Sequence, residues 1–302
     1  MPGSTCSFLV IVALLGPAST ILAQGNAAAP PRRHACSPRS VFVEELTWPE
    51  IRDAMASGCT SAIVYTGSTE ENGPHLALGK HTVIAHYVAA QIAKGLGDAL
   101  VYPTLPFAPA HDPATRTGLM AFPGTVSLST STYGAVAHDV LVSALAAGFR
   151  NVFIMGDHGL GQDRLRVAAE SLDVEWSPKG RRIFYIPDVY YAAADSIEAY
   201  LARYKLPTDG HAGIDDTSEL LFIEAASATR GRWVRASKLA RADSTQFEIT
   251  GVAGDPRRAT TALGRMFIGF KVEVGMAAIR QKQRVTLTSS PMRSHSGCES
   301  LG

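Results

Sequence analysis

The sequence has no excess of charge of either sign: 28 Lys and Arg against 27 Asp and Glu leave a formal net charge of +1 on 302 residues. The two signs are interspersed, so no basic face for nucleic acid or an anionic membrane forms, and the expected partners are small molecules or further copies of the chain. Thiolate metal sites are argued against as well, because the four cysteines, Cys6, Cys36, Cys59 and Cys298, include no Cys-x-x-Cys spacing. No Gly-x-Gly-x-x-Gly follows a strand-like run, which argues against a dinucleotide site. Ser68 follows such a run but lacks the Gly-x-Ser-x-Gly elbow that a serine hydrolase needs.

Long apolar runs are scarce too. Phe8 to Leu15 is apolar but too short to span a bilayer. With the small-residue ending Leu22-Ala23 before Gln24, it reads as a signal peptide over residues 1–23. The expectation is an exported protein, periplasmic or secreted, with no membrane association after cleavage. Cys6 would leave with that segment. The remaining three cysteines permit one disulfide in an oxidising compartment or three thiols; Cys36 with Cys298 would tie the chain ends together, although sequence does not reveal the pairing. Residues 24–45, rich in Ala, Pro and Arg, read as a flexible leader, and the Ser-rich stretch 285–302 as a mobile tail.

What remains, residues 46–284, shows no internal repeat and no linker, and the 46% hydrophobic fraction is enough for one large core. Thr47-Trp48-Pro49-Glu50 carries an N-cap, a first-turn proline and a capping-box acid, so a helix is expected from there to Gly58. Cys59–Thr66, Ala99–Leu105, Asn151–Met155 and Arg182–Pro187 are short apolar, β-branched runs of the kind buried on both faces of a parallel sheet. Helical spacing fills the intervals at 82–95, 132–147, 163–172 and 188–204, and a last helix is expected over 261–279. Asp215 or Asp216 would cap a helix after Gly210, with Glu219 three residues beyond Asp216. The pattern is a single doubly wound α/β domain, a mostly parallel sheet with helices on both faces, whose ligands sit outside the strands' carboxyl ends.

Three polar loops meet that rim. The first, Gly67 to His81, holds Glu70, Asn72, His75 and His81; the second holds Asp157 and His158; the third holds His211, Asp215 and Asp216. Each residue alone has an ordinary structural use, as a cap or a satisfied loop histidine. Three independent loops bringing imidazoles and carboxylates to one rim instead point to a borderline divalent ion with a position left open for water. Such an ion lowers the pKa of that water and polarises a carbonyl. The long loop from Pro106 to Met120, with Tyr190 and Tyr191, is expected to shape the pocket.

In order along the chain, LTWPEI, IVYTGSTEENGPHLALGKH, FPGTVSL, GFRNVFIMGDHG and GHAGIDDTSELL resemble the motifs of the creatininase (creatinine amidohydrolase) family, and GDPRRAT with the last helix resembles its closing segment. The resemblance implies a doubly wound domain, a homo-oligomer that is usually a hexamer, and a divalent metal site that opens cyclic amides or cleaves related C–N bonds. It implies that Glu70 and His158 are metal ligands and His211 the catalytic histidine, with Asp216 in the place of the acid before Thr-Ser. Two positions depart from the pattern: Asn72 stands where the family has a metal-binding histidine, and His81 where it has an aspartate that bridges two metals. Leu160 likewise replaces a glutamate ligand. A carboxylate bridges two cations with two oxygens, whereas a neutral imidazole offers one lone pair. The expected centre is therefore one zinc or manganese, or iron, on Glu70, His81 and His158, with Asp216 as a ligand or as the group orienting His211. Asn72, His75 and Tyr190 are the expected substrate contacts. The competing expectation is a non-catalytic relative that binds a small ligand or acts as a scaffold.

Overall fold

A computed structural model describes residues 36–208, 210–242 and 244–289, with the side chains of 285–289 left aside. The expected signal peptide, residues 1–23, lies outside the described residues, as does Cys298. Among the described residues no helix is long and apolar enough to cross a membrane.

Helix α1 (Trp48–Ser57) begins at the capping box: the Thr47 backbone N–H and hydroxyl both donate to the Glu50 carboxylate, at 2.7 and 2.8 Å. Strand β1 (Ser61–Thr66) is buried throughout, as is β2 (Ala99–Val101), and between them runs α2 (Lys80–Leu96). The run expected as a strand to Leu105 stops early. Pro103, which has no N–H for the ladder, interrupts it, and pairing resumes only as a single bridge between Thr66 and Leu105. Helix α3 (Thr130–Ala147) leads to β3 (Asn151–Gly156), then α4 (Gln162–Trp176), β4 (Arg182–Tyr185), α5 (Tyr191–Arg203) and α6 (Ile214–Ala226). A four-residue turn of helix, α7 (Phe247–Thr250), precedes α8 (Thr261–Ser289).

The four strands pair in parallel in the order β2-β1-β3-β4. Successive side chains of a strand point to opposite faces, and the core divides accordingly. Ile63, Tyr65, Phe153 and Met155 face α2, α6 and α8. Ala62, Val64, Val152 and Ile154 face α1, α3 and α4. The expected doubly wound architecture is thus present, with every strand pair parallel. A smaller cluster of Ile197, Leu201, Ile214 and Phe267 holds α5 against α6 and α8. From β1 the chain turns outward to β2 and from β3 it turns the other way to β4, so the connections leaving the two central strands diverge at their carboxyl ends. That divergence is the crevice where open α/β sheets bind ligands.

The two ends of the domain and the disulfide also differ from the sequence expectation. Residues 36–45, read as part of a flexible leader, are held by a Cys36–Cys59 disulfide, an Arg39–Glu50 ion pair and a bridge from Phe42 to Val101 on the outer edge of β2. The cysteine partner is Cys59, 23 residues away, and not Cys298. Helix α8 runs on to Ser289, past the expected start of the tail at 285.

Candidate metal centre

Thr66 and Gly156 are register partners at the ends of β1 and β3, so the loops that follow them start side by side. Gly67 turns the first loop against α2. A Cβ there would lie 2.5 Å from the Thr82 backbone, so the close approach needs glycine. Within the loop, the Glu70 N–H donates to the Leu78 carbonyl at 2.9 Å and the Asn72 amide donates to the Glu70 carbonyl at 2.9 Å, which fixes the Glu70 backbone. Glu70, 1% exposed, then spans two imidazoles: Oε1 lies 3.1 Å from His81 Nε2 and Oε2 lies 2.7 Å from His158 Nε2. The Ser68 hydroxyl donates to Oε2 at 2.7 Å.

Both rings are held from behind. His81 Nδ1 lies 2.8 Å from Asp157 Oδ2, and His158 Nδ1 lies 3.3 Å from the Leu160 carbonyl. Carbonyl and carboxylate oxygens only accept, so each Nδ1 carries a hydrogen, which leaves Nε2, beside the Glu70 carboxylate, as the atom of each ring that a cation would take. This is the outer-shell arrangement that fixes the tautomer of metal-binding histidines. One ligand atom from each of Glu70, His81 and His158 lies within 4.8 Å of the others. Two imidazole nitrogens and one carboxylate is a donor set that zinc hydrolases use with a fourth position open. The residues present therefore fit a single divalent ion.

Charge is concentrated behind these ligands. The Lys271 ammonium, from α8, donates to Asp157 Oδ1 and Glu219 Oε2, both at 2.9 Å. Burial acts against ionisation of Asp157, but Lys271 and His81 outweigh it and hold its carboxyl below the usual range. Glu219 is the opposite case, since burial outweighs Lys271 and pushes its carboxyl up to about 8. For His81, burial and Lys80 oppose protonation, yet Glu70 and Asp157 prevail and raise it to about 9.

The ligands open onto a cavity of about 440 Å³ whose wall includes Lys80, Tyr190, His211 and Asp216. Gly159 makes room for Tyr190, because a Cβ there would come within 2.5 Å of the phenol oxygen. The long loop after β2 contributes His111 and Leu119, and its Phe122 meets Phe247 of α7 edge to face with ring centres 6.2 Å apart. His211 Nε2 lies 3.0 Å from the Glu71 carbonyl and 3.1 Å from the Glu71 carboxylate. Both acceptors require Nε2 to carry the hydrogen, which makes Nδ1 the basic atom of His211.

Asp216, expected to ligate the ion or orient His211, is engaged elsewhere. Its Oδ2 accepts from the Lys80 ammonium at 2.6 Å and from the Ala212 N–H at 2.9 Å, and it is not in the three-residue cluster. Nor does it cap α6, which begins at Ile214 with Gly213 as its N-cap. Asn72 and His75 are fully buried and absent from the cavity wall; His75 Nε2 lies 3.1 Å from the Thr217 hydroxyl, and burial pushes its imidazole down to about 4. Lys80, Lys271, Glu71 and Glu219 were not singled out from the sequence as site groups. A signal existed for Lys271: it lies four residues after Phe267 and four before Gly275, on the apolar stripe of its helix.

The Creatininase family model, described as creatinine amidohydrolase, matches residues 44–279. The chain belongs to the creatininase family. Creatinine amidohydrolase of Pseudomonas putida is 30% identical over 120 residues, 40% of this chain and 45% of that enzyme, so this match spans under half the relative's length. Mycofactocin precursor peptide peptidase of Mycolicibacterium smegmatis is 28% identical over 216 residues, 67% of this chain and 77% of that protein. A crystal structure of creatinine amidohydrolase superposes with a TM-score of 0.66 at 21% identity, covering 81% of this chain and 98% of the other. A manganese form of creatininase superposes with a TM-score of 0.63 at 20% identity, covering 81% of this chain and 99% of the other. At that identity the superpositions establish the fold.

Proposed function

We propose that this creatininase-family protein is a metal-dependent amidohydrolase that cleaves a cyclic amide or related C–N bond of a small molecule. In this reading Glu70, His81 and His158 hold one zinc or manganese ion. The observation that carries it is the Glu70 carboxylate lying between two inward-facing Nε2 atoms, each imidazole being fixed through its other nitrogen by Asp157 or by the Leu160 carbonyl. A divalent ion there supplies Lewis acidity and a water that ionises near neutral pH.

The chain's own residues do the rest. His211 takes a proton from the attacking water at Nδ1 and delivers it to the leaving nitrogen, while Glu71 holds the opposite side of the ring. Tyr190 and the His111 loop bound the substrate and limit access of bulk water. The Cys36–Cys59 disulfide supports export to an oxidising compartment, with residues 1–23 removed. Family resemblance supports a homo-oligomer, hexameric in the fullest form of the reading.

A second reading is a non-catalytic relative that binds a small ligand, favoured by Asn72 and Leu160 at positions where creatininase has metal ligands. Zinc- or manganese-loaded protein separates the two when assayed for amide hydrolysis against creatinine, hydantoin and short peptide amides. The peptide arm is included because the peptidase relative matches over the longer stretch. An amidohydrolase turns over at least one of these, and His211→Ala lowers the rate about 10²–10⁴-fold with metal retained. Metal bound with no turnover of any class favours the binding protein.

A further inference from the structure

Lys80 is the first residue of α2, one position before His81, and its side chain is 2% exposed while forming part of the cavity wall. A cation at a helix N-terminus opposes the helix dipole, and a buried ammonium is costly unless paired. The location is therefore unfavourable on two counts and calls for a compensating use. Asp216 supplies part of the compensation through the 2.6 Å bond to Nζ, the only hydrogen bond Lys80 Nζ makes among the described residues. An ammonium has three N–H groups. Two find no acceptor among the described residues, on a wall shared with Glu70, His81 and His158. Asp216 is itself fixed by the Ala212 N–H, so the ammonium is held from behind and cannot swing away without leaving the partly buried Asp216 carboxylate without its cation.

We propose that the Lys80 ammonium is a catalytic residue that receives the carbonyl oxygen of the scissile amide, stabilising the negative charge that develops there; this rests on the amidohydrolase reading. The water oxygen bonds to the carbonyl carbon as the C=O π pair moves onto oxygen, to which the two remaining N–H groups of Lys80 donate. The pair returns as the C–N bond breaks, and the nitrogen leaves with the proton carried by His211 Nδ1. Lys80 keeps its own proton throughout; the proton of the new acid passes to the released amine, and Lys80 then pairs with the product carboxylate. The substrate class that suits this geometry is an amide whose carbonyl oxygen can enter between Lys80 and the Glu70–His81–His158 cluster.

The test uses methylphosphonate, a stable tetrahedral oxyanion, on full-length zinc-loaded protein. Removing Lys80 alone leaves Asp216 unpaired and threatens folding, so the comparison is Asp216→Asn against the Lys80→Met, Asp216→Asn double variant, both checked for thermal unfolding and zinc content. The expected result is at least tenfold weaker methylphosphonate binding in the double variant at unchanged zinc content. Affinities within twofold overturn the role of Lys80. A second measurement needs no variant: in 15N-lysine-labelled wild-type protein the buried ammonium resonance of Lys80 shifts on adding methylphosphonate, and an unmoved resonance overturns the proposal. If zinc does not bind at all, the amidohydrolase reading fails separately, and the same titration on the metal-free protein still decides whether Lys80 receives an oxyanion.

Discussion

Lys271 offers the most demanding check on the electrostatic account of the site. Its ammonium bridges Asp157 and Glu219, with side-chain exposures of 13%, 2% and 2% respectively. In Lys271→Met two buried carboxyls lose their shared cation, and removing one partner of a buried ion pair costs about 3–5 kcal/mol. For a domain of this size each kcal/mol lowers the melting temperature by roughly 2–4 °C, so the expected drop is about 6–20 °C. The loss should depend on pH with a known sign. Burial already raises the Glu219 carboxyl to about 8 with the ammonium present, and removing that cation raises it further. A carboxyl with a raised folded pKa stabilises the fold below its unfolded pKa, near 4.5, and loses that contribution as pH climbs toward the folded value. The variant's deficit should therefore be larger at pH 9 than at pH 6, by up to about 1.4 kcal/mol per pH unit while Glu219 is titrating. Urea unfolding followed by circular dichroism, in EDTA to exclude metal linkage, measures both quantities. A deficit below about 1 kcal/mol at both pH values would refute the reasoning.

Three further outcomes follow from the same geometry. Asp157→Asn weakens the hold on His81 Nδ1 and should lower zinc affinity about 10–100-fold in competition with a chelating dye; unchanged affinity contradicts the outer-shell role. His81, raised to about 9, is protonated near neutral pH without metal and must lose that proton to bind it. Each zinc ion taken up at pH 7 should release about one proton into weakly buffered solution, with affinity rising roughly tenfold per pH unit until about 9, and uptake with no proton release would contradict the assignment. Cys36→Ala opens a disulfide that closes a 23-residue separation and should cost about 2–4 kcal/mol in urea, leaving zinc content unchanged; a loss of zinc would show that the strap and the site are coupled.

Much of the fold was legible because its signals are local. The capping box at Thr47 and Glu50, the mostly apolar β1 and β3, and the polar loops at their ends are each contained within a few residues. Glu70, His81 and His158 were legible for the same reason, since each sits in a dense polar loop directly after a strand or entering a helix. What stayed hidden depends on partners far apart in the chain. Lys271 meets Asp157 across 114 residues and Glu219 across 52, and Lys80 meets Asp216 across 136. Asp216 looked available as a ligand because nothing nearby in sequence suggested a buried lysine to engage it. The Cys36–Cys59 pairing and the ordering of residues 36–45 likewise depend on the outer edge of β2, which composition does not reveal.

The central claim is a single metal ion held by Glu70, His81 and His158. Elemental analysis of protein dialysed against zinc and then against metal-free buffer tests it directly, with the His81→Ala variant alongside. The account predicts one zinc per wild-type chain and none in the variant. No zinc in the wild type, two per chain, or an unchanged content in His81→Ala would contradict it.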